Sequence, residues 1–120
     1  MNSEKRDRSI LLHISDYCLE IEETMADISN SKAKYDESRI HRNALAMCVL
    51  QIGELVSVLS DDFKDAYTEI PWRDIKAMRN IVAHHYGNFD FNALWEVAQD
   101  DIPVLKDFCV RCLEGWSKEN

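Results

Sequence analysis

The residues best suited to chemistry in this 120-residue chain lie together in one segment, residues 71–86. Arg79 precedes His84 by five positions, and Asn80 lies between them. An arginine guanidinium binds phosphate oxygens through paired N–H donors, and an imidazole exchanges protons near neutral pH. The segment therefore predicts a site that stabilises negative charge on a phosphate while a proton is transferred.

Cleavage of RNA through its own 2′-hydroxyl needs both proton transfer and stabilisation of negative charge on the phosphate. The 2′-hydroxyl loses a proton, the 5′-oxygen gains one, and the pentacoordinate phosphate accumulates negative charge. Arg79 is the candidate for charge stabilisation and His84 for the proton transfers, with no metal or cofactor required. Asn80, one turn before His84, can hold the imidazole or contact the phosphate; a plain surface amide is the alternative.

A helical wheel separates these side chains by direction. At about 100° per residue, one stripe of the segment faces a core. Its members are Asp74, Ile75, Met78, Ile81, Val82 and His85. Arg73, Asn80 and His84 lie on the opposite face, and Arg79 shares a third direction with Tyr86.

Arg79 and His84 are about 140° apart on an ideal helix, too far to converge easily from one helix. Either a fraying helix end swings His84 round, or a second chain related by a twofold axis completes the site. The second arrangement fits better, because it supplies two copies of each residue. Two His84 copies could then act as base and acid in turn.

Basic residues concentrate in two stretches of an acidic chain. The chain has 14 Lys+Arg and 22 Asp+Glu, a formal charge of −8. Residues 32–42 and 71–86 contain seven of the basic residues and three of the acidic ones, so they carry +4 and the remainder carries −12. The charge excludes a basic nucleic-acid-binding surface over the whole chain, because such binding depends on Lys and Arg that neutralise phosphates.

A local basic patch is still compatible with this charge distribution. Its candidate RNA contacts are Arg73, Lys76 and Arg42, which would meet if the start of the second helix packs against the third. The alternative is that these residues are solvated or paired with the abundant carboxylates.

Four helices are predicted to position these residues. Apolar residues spaced by three and four predict a first helix over residues 8–28 and a second over 38–59. Pro71 begins a third helix that runs to about His85 and ends at Gly87 and Asn88. Asp90 caps a fourth helix over residues 91–113, in which Pro103 predicts a kink near residues 99–102.

The predicted architecture is an all-α, up-and-down four-helix bundle forming one domain over residues 1–120, with room for an extra short helix. Only 3 glycines and 2 prolines argue against a β-sandwich or barrel. The polar residues 29–38 predict a loop or a frayed helix end. The apolar seam of the first helix suits either the core or a partner subunit.

The remaining composition predicts a soluble, cytoplasmic protein. No apolar run approaches the ~18 residues of a membrane span, and the charged start MNSEKRDRS does not lead into a signal-peptide pattern. The four cysteines, which lie in apolar segments, suit buried thiols in a reducing compartment. A zinc site at Cys109 and Cys112 would need a second ligand pair that the sequence does not clearly offer.

Several segments together resemble one family. RNIVAHHY, residues 79–86, resembles the R-N-x-x-x-H-x-Y signature of the HepT-like branch of the HEPN superfamily. QIGE at 51–54 resembles the I-G-E of the family's second helix, and IPW at 70–72 resembles the I-P-W before its motif helix. Residues 89–95 resemble the continuation into the last helix, so the likeness covers roughly the whole chain.

The resemblance implies an all-α bundle that forms a homodimer with two motif helices facing each other over a cleft. It implies a metal-independent ribonuclease toxin of a bacterial toxin–antitoxin pair, with Arg79 and His84 catalytic and Asn80 supportive. The implied partner is a minimal nucleotidyltransferase antitoxin of the MntA type, which transfers AMP to the motif tyrosine, here Tyr86. RNA is the expected substrate, and neither a membrane nor DNA is an expected partner.

Gly53 and Glu54 belong to the same set of segments. A glycine inside a helix costs about 1 kcal/mol relative to alanine, so Gly53 indicates a close helix crossing or a subunit contact. Glu54 could pair with Arg79 or orient the cleft; equally, it could be a solvated surface carboxylate.

Two other functions stay open at the level of sequence. The helical dimer could be a non-catalytic subunit that serves as scaffold or substrate for a nucleotidyltransferase, with the basic cleft binding nucleotide. It could also be a purely structural bundle. Substitution of Arg79 or His84 separates these alternatives, because only the ribonuclease should lose RNA cleavage.

Overall fold

The structure, a computed structural model, describes residues 2–84 and 90–119. Within these ranges the chain is helical, with no strands. In chain order the helices are α1 (Asn2–Asp27), α2 (Lys32–Glu37), α3 (Arg39–Val58), α4 (Asp61–Ala66), α5 (Trp72–His84), α6 (Phe91–Glu96), a π-helical turn (Val97–Asp101) and α7 (Ile102–Glu119). The predicted all-α class is confirmed.

The long helices run up and down. The Arg6 guanidinium on α1 donates to the Val58 carbonyl at the end of α3 (3.0 Å), and His41 Nε2 near the start of α3 lies 2.6 Å from Asp27 Oδ2 at the end of α1. These two helices are therefore antiparallel. Lys106 of α7 pairs with Glu22 of α1 at 2.8 Å, within the packing of α7 against α1.

The apolar seam of α1 belongs to the core of its own chain. All of its members are buried: Leu11, Ile14, Cys18, Ile21, Met25 and Ile28. Burial was one of the two alternatives for this seam, and the contacts of α1 with α3 and α7 account for it. Because these side chains are buried within their own chain, the seam is not a surface for a partner subunit.

The cysteines are core residues. Cys18, Cys48 and Cys109 are buried free thiols, and Cys112 is half-buried. Burial raises the pKa of the Cys18 thiol to about 12 and raises the pKa of Cys48 and Cys109 as well. A thiol with a raised pKa holds its proton at neutral pH and is a poor nucleophile.

Two short helices occupy segments predicted to be connections. In α2, the Ser31 hydroxyl accepts from the Lys34 amide, and the buried Tyr35 hydroxyl donates to the Phe91 carbonyl at 2.8 Å. Residues 32–37 are therefore helical where a loop or a frayed end was expected. The tertiary contact of Tyr35 decides this, since the segment itself is polar.

The second short helix, α4, has the same construction. The Ser60 hydroxyl accepts from the Phe63 amide, while the buried Asp7 carboxylate of α1 accepts from both the Ser60 amide (2.9 Å) and the Ser60 hydroxyl (2.6 Å). Phe63 packs among aromatic rings, those of Tyr67, Trp72, Phe108 and Trp116. Both ends of the segment are thus fixed by contacts distant in sequence.

Pro103 disturbs the last long helix where the sequence predicts it. The π-helical turn Val97–Asp101 ends two residues before Pro103, which is the second residue of α7. Proline has no N–H to donate and its ring clashes with the carbonyl four residues back, so a regular α-helix cannot pass through it unchanged. The wider turn accommodates this.

Candidate active site on α5

Helix α5 lies against α3 and begins in the aromatic cluster. The Trp72 indole N–H donates to the Tyr67 carbonyl at 3.0 Å, and its ring lies 5.8 Å from that of Phe108. Ile75 and Met78 line one cavity with Val49 and Ile52 of α3, so the first half of α5 packs on the middle of α3.

The faces of α5 largely follow the predicted wheel. Val82 is buried, and Ile75 and Met78 are half-buried against the core. Asn80 is exposed, as predicted. Asp74 departs from the prediction: its position is on the inward stripe, yet it is exposed. It lies at the edge of that stripe, where a carboxylate can reach water.

Arg79 sits at the closest approach of α5 to α3. A Cβ placed on Gly53 would lie 2.1 Å from the Cβ of Arg79 and 2.8 Å from its Cγ. Carbon atoms do not approach this closely, so only glycine permits the two helices to cross here. The prediction that Gly53 marks a close helix crossing is confirmed, and its neighbour in that crossing is Arg79 itself.

The Arg79 guanidinium is held by two side chains. Its Nε and Nη2 both donate to Glu54 Oε1, and its Nη1 donates to Asn80 Oδ1 at 2.9 Å. Pairing with Glu54 was one of the alternatives for that residue and is confirmed. The Arg79 side chain is 28% exposed, so the guanidinium remains within reach of a ligand while its direction is fixed.

The basic residues of the predicted patch lie on two helices, α3 and α5. The Arg42 guanidinium donates to the carbonyls of Tyr35 and Asp36 and lies 5.2 Å over the ring of Phe91. Arg73 and Lys76 are exposed in the first half of α5. RNA binding by these three residues stays a prediction.

The histidine and tyrosine of the motif are placed only in part. His84 is the last residue of α5, so its backbone lies about 7.5 Å along the helix axis from Arg79, at about 1.5 Å per residue. The His84 side chain lies outside the described residues, as do His85 and Tyr86. The predicted helix end at Gly87 and Asn88 also lies outside them.

A cavity of about 160 Å³ lies behind α5, between that helix, α3 and the π-helical turn. Its walls are apolar, with Ile52, Ile75 and Met78 among them, and Asp74 and Asp101 also line it. Desolvation, followed by the neighbouring carboxylates of Asp100 and Asp74, raises the pKa of Asp101 above its ordinary value. No sequence pattern indicated this cavity, because it depends on how several helices pack.

Within residues 2–84 and 90–119, no helix is long and apolar enough to cross a lipid bilayer. The same part of the chain contains no cluster of three or more His, Cys, Asp or Glu residues arranged to hold a metal ion.

A helical bundle that presents Arg79 at a tight crossing of two helices, five residues before a histidine, agrees with the HEPN type that the sequence motifs resemble. Comparison with known proteins agrees. The family model described as "Ribonuclease HepT-like" matches residues 14–112. The chain belongs to the HepT-like ribonuclease family.

Individual relatives carry matching names. "Putative RNase MJ1380" of Methanocaldococcus jannaschii is 27% identical over 103 residues, which is 85% of this chain and 93% of the relative. "Putative RNase MJ1216" of the same organism is 31% identical over 98 residues, 78% of this chain and 81% of the relative. "Probable ribonuclease HepT" of Thermococcus cleftensis is 42% identical over 55 residues, 46% of this chain and 50% of the relative. No solved structure matches the chain.

Proposed function

We propose that this chain is a metal-independent endoribonuclease in which Arg79 and His84 carry the chemistry. The observation that supports this most directly is the fixed and accessible guanidinium of Arg79, held by Glu54 and Asn80. It is presented on α5 in a chain of the HepT-like ribonuclease family. Asn80 supports the site by accepting from Arg79.

The proposed reaction is attack of the RNA 2′-hydroxyl on the adjacent phosphorus. An imidazole takes the 2′-hydroxyl proton, the 2′-oxygen bonds to phosphorus, and the bond to the 5′-oxygen breaks as that oxygen receives a proton. Arg79 stabilises the extra negative charge on the phosphate oxygens. The products are a 2′,3′-cyclic phosphate and a 5′-hydroxyl.

The active form we propose is a homodimer that builds its cleft from two copies of α5. On α3, Ile40, Met47 and Val58 are exposed and share a direction with Glu54, the partner of Arg79. Large apolar side chains on one exposed face are typical of a surface that another protein covers. A second copy seated there would bring its own Arg79 and His84 toward the first.

We further propose that the whole chain, residues 1–120, is one cytoplasmic HEPN-like domain acting as the toxin of a bacterial toxin–antitoxin pair. Its antitoxin would be an MntA-type nucleotidyltransferase that transfers AMP from ATP to the Tyr86 hydroxyl and releases pyrophosphate. Tyr86 shares the direction of Arg79 on the predicted wheel, so an AMP phosphate there would pair with the guanidinium and exclude the RNA phosphate.

The test of the ribonuclease is the chemistry of cleaved RNA ends. Arg79→Ala and His84→Ala should each lower cleavage by about 10²–10³-fold or more, because they remove the charge-stabilising donor and the proton-transfer group. Wild-type products should carry 5′-hydroxyl and cyclic phosphate ends. Arg111→Ala and His13→Ala, which change the same residue types on exposed parts of α7 and α1, should cleave normally.

The alternative is a non-catalytic subunit that serves as substrate or scaffold for a nucleotidyltransferase. Full RNA cleavage and growth inhibition by Arg79→Ala or His84→Ala would favour it, and 5′-phosphate ends would contradict the 2′-hydroxyl mechanism.

The role of Tyr86 is tested by mass spectrometry after coexpression with the cognate nucleotidyltransferase. Inhibited protein should gain one AMP on Tyr86, and Tyr86→Phe should escape both the modification and the inhibition. Tyr17→Phe, a control on α1, should be modified and inhibited like the wild type. Complete inhibition with Tyr86 unmodified would contradict the proposal.

A further inference from the structure

The ion pair between Glu54 and Arg79 links the two helices at their closest point. Arg79 runs across α3 at Gly53, where the backbone leaves no room for a Cβ, and its guanidinium reaches the next residue of α3, Glu54. The crossing thus determines which α3 side chain Arg79 can meet. Gly53 permits the close approach of the two helices, and Glu54 accepts hydrogen bonds from the guanidinium that this approach places beside it.

The bonds to Glu54 occupy one particular edge of the guanidinium. A guanidinium has five N–H donors, and Oε1 of Glu54 accepts from Nε and Nη2, the edge next to the side-chain stem. Asn80 Oδ1 accepts from Nη1. These contacts use three donors and leave one N–H on each terminal nitrogen outside them.

We propose that Glu54 is a positioning residue for the ribonuclease reaction: it fixes the Nε edge of Arg79 so that the terminal N–H donors point at the scissile phosphate. This inference rests on the proposed function, in which Arg79 contacts that phosphate. Glu54 itself touches no substrate. A bidentate donor pair is effective only when its direction is fixed before the transition state forms.

This role separates two kinetic constants. Glu54→Ala frees the guanidinium and removes a negative charge beside the phosphate site, so the ground-state affinity for RNA should hold or improve. The transition state loses a directed donor pair, and misplacement of a catalytic group by about 1 Å can cost about 10²-fold. We expect kcat to fall about 10–100-fold while KM stays constant or decreases.

The conservative variant should restore most of the loss. In Glu54→Gln the amide oxygen can accept the same two N–H donors without the charge, so kcat should stay within about fivefold of the wild type. A merely electrostatic effect of the carboxylate would make Gln and Ala alike, whereas a positioning effect places Gln near the wild type.

The chain offers a matched control in Glu22. It pairs with Lys106 between α1 and α7, and the exposures of the two side chains, 42% for Glu22 and 30% for Lys106, resemble the 48% and 28% of Glu54 and Arg79. Glu22→Ala therefore removes an interhelical ion pair of similar exposure away from α5. Its kcat and KM should equal those of the wild type.

The decisive experiment combines steady-state kinetics on an oligoribonucleotide with the ¹⁵Nε–H signal of Arg79 in NMR spectra of the intact protein. The signal should be protected from solvent exchange in the wild type, Glu22→Ala and Glu54→Gln, and it should be lost in Glu54→Ala. An unchanged kcat in Glu54→Ala, or an increase, would overturn the positioning role; an unprotected signal in the wild type would do the same.

Failure of the proposed function has a different signature. If Arg79→Ala cleaves RNA normally, the proposed chemistry is wrong whatever Glu54 does, and the NMR signal still reports whether Glu54 orients Arg79. If Glu54→Ala does not fold, the comparison of Glu54→Asp with Glu22→Asp decides, because the shorter side chain keeps the charge but withdraws the oxygen from the Nε edge of Arg79. Loss of NMR protection with a lowered kcat in Glu54→Asp alone supports positioning, and a kcat equal to that of Glu22→Asp refutes it.

Discussion

Gly53 is the residue on which the geometry around Arg79 depends most. The Cβ of an alanine there would overlap the Cβ of Arg79, an atom fixed to the backbone of α5 and unable to swing away. Gly53→Ala must therefore separate the two helices. We expect a loss of about 1–3 kcal/mol in the free energy of unfolding from this overpacking, together with reduced RNA cleavage.

Gly115 provides the control for this prediction. It also lies within a helix, α7, but a Cβ there would meet nothing within 4 Å. Gly115→Ala should raise the free energy of unfolding by up to about 1 kcal/mol through helix propensity alone. Urea denaturation of both variants measures the two effects. Equal stabilisation by both substitutions would show that α3 and α5 do not cross as closely as described.

At the scale of single residues, the sequence indicates which positions are unusual but does not decide which residues they contact. The glycine in a helix indicated a close approach, and the acid beside it had Arg79 as one possible partner. Neither could be decided from spacing, since the residue of α5 that faces Gly53 depends on the crossing of two helices. The same limit applied to Asp74, whose wheel position is inward although its carboxylate is exposed.

The π-helical turn is the element whose stability should respond to pH. Desolvation is the largest cause of the raised pKa of Asp101, with Asp100 and Asp74 adding to it. An acid whose pKa is higher in the folded than in the unfolded protein stabilises the fold when protonated. That contribution is complete below the unfolded pKa and is lost as the pH rises through the folded pKa.

Asp101→Asn should therefore stabilise the protein at neutral pH and have no such effect in acid. Because Asp101 is exposed, the gain should be only a few tenths of a kcal/mol. Thermal unfolding between pH 3 and pH 8 measures it, with Asp16→Asn on the exposed face of α1 as the control. A gain that does not shrink as the pH falls would contradict the stated cause.

The long helices were predictable because each buries a stripe that repeats at the helical period. The short helices α2 and α4 were not, because each is held by one aromatic side chain, Tyr35 or Phe63, in contact with distant parts of the chain. Their N-caps, Ser31 and Ser60, were visible as residue types. Serines in polar segments are too common for that signal to decide the structure.

At the scale of the whole molecule, the basic residues counted in the sequence have different surroundings. Lys32 pairs with Asp36 and also donates to Asn92, and Arg42 is bound to α2 carbonyls, all at one end of the bundle. Arg73 is exposed on α5. Sequence counts record how many charges two segments hold, whereas helix packing decides whether they meet.

Because one copy of His84 is proposed to act as base and the other as acid, the dimer is the unit of catalysis. If one copy takes the 2′-hydroxyl proton and the other supplies a proton to the 5′-oxygen, a dimer with a single His84→Ala subunit lacks one of the two groups. Each such group contributes about 10²–10⁴-fold, so the mixed dimer should cleave far below half the wild-type rate.

Purified mixed dimers, isolated through a different affinity tag on each subunit, test this in single-turnover cleavage. Dimers with a single His13→Ala subunit control for the tags and for the loss of a histidine far from α5, and they should cleave at the wild-type rate. A rate of one half for the single His84→Ala dimer would mean that each site works with its own histidine. Cleavage by protein that sediments as a monomer under the assay conditions would contradict the composite cleft itself. His84, about 140° from Arg79 on an ideal helix, would then have to reach the same phosphate from a frayed end of α5.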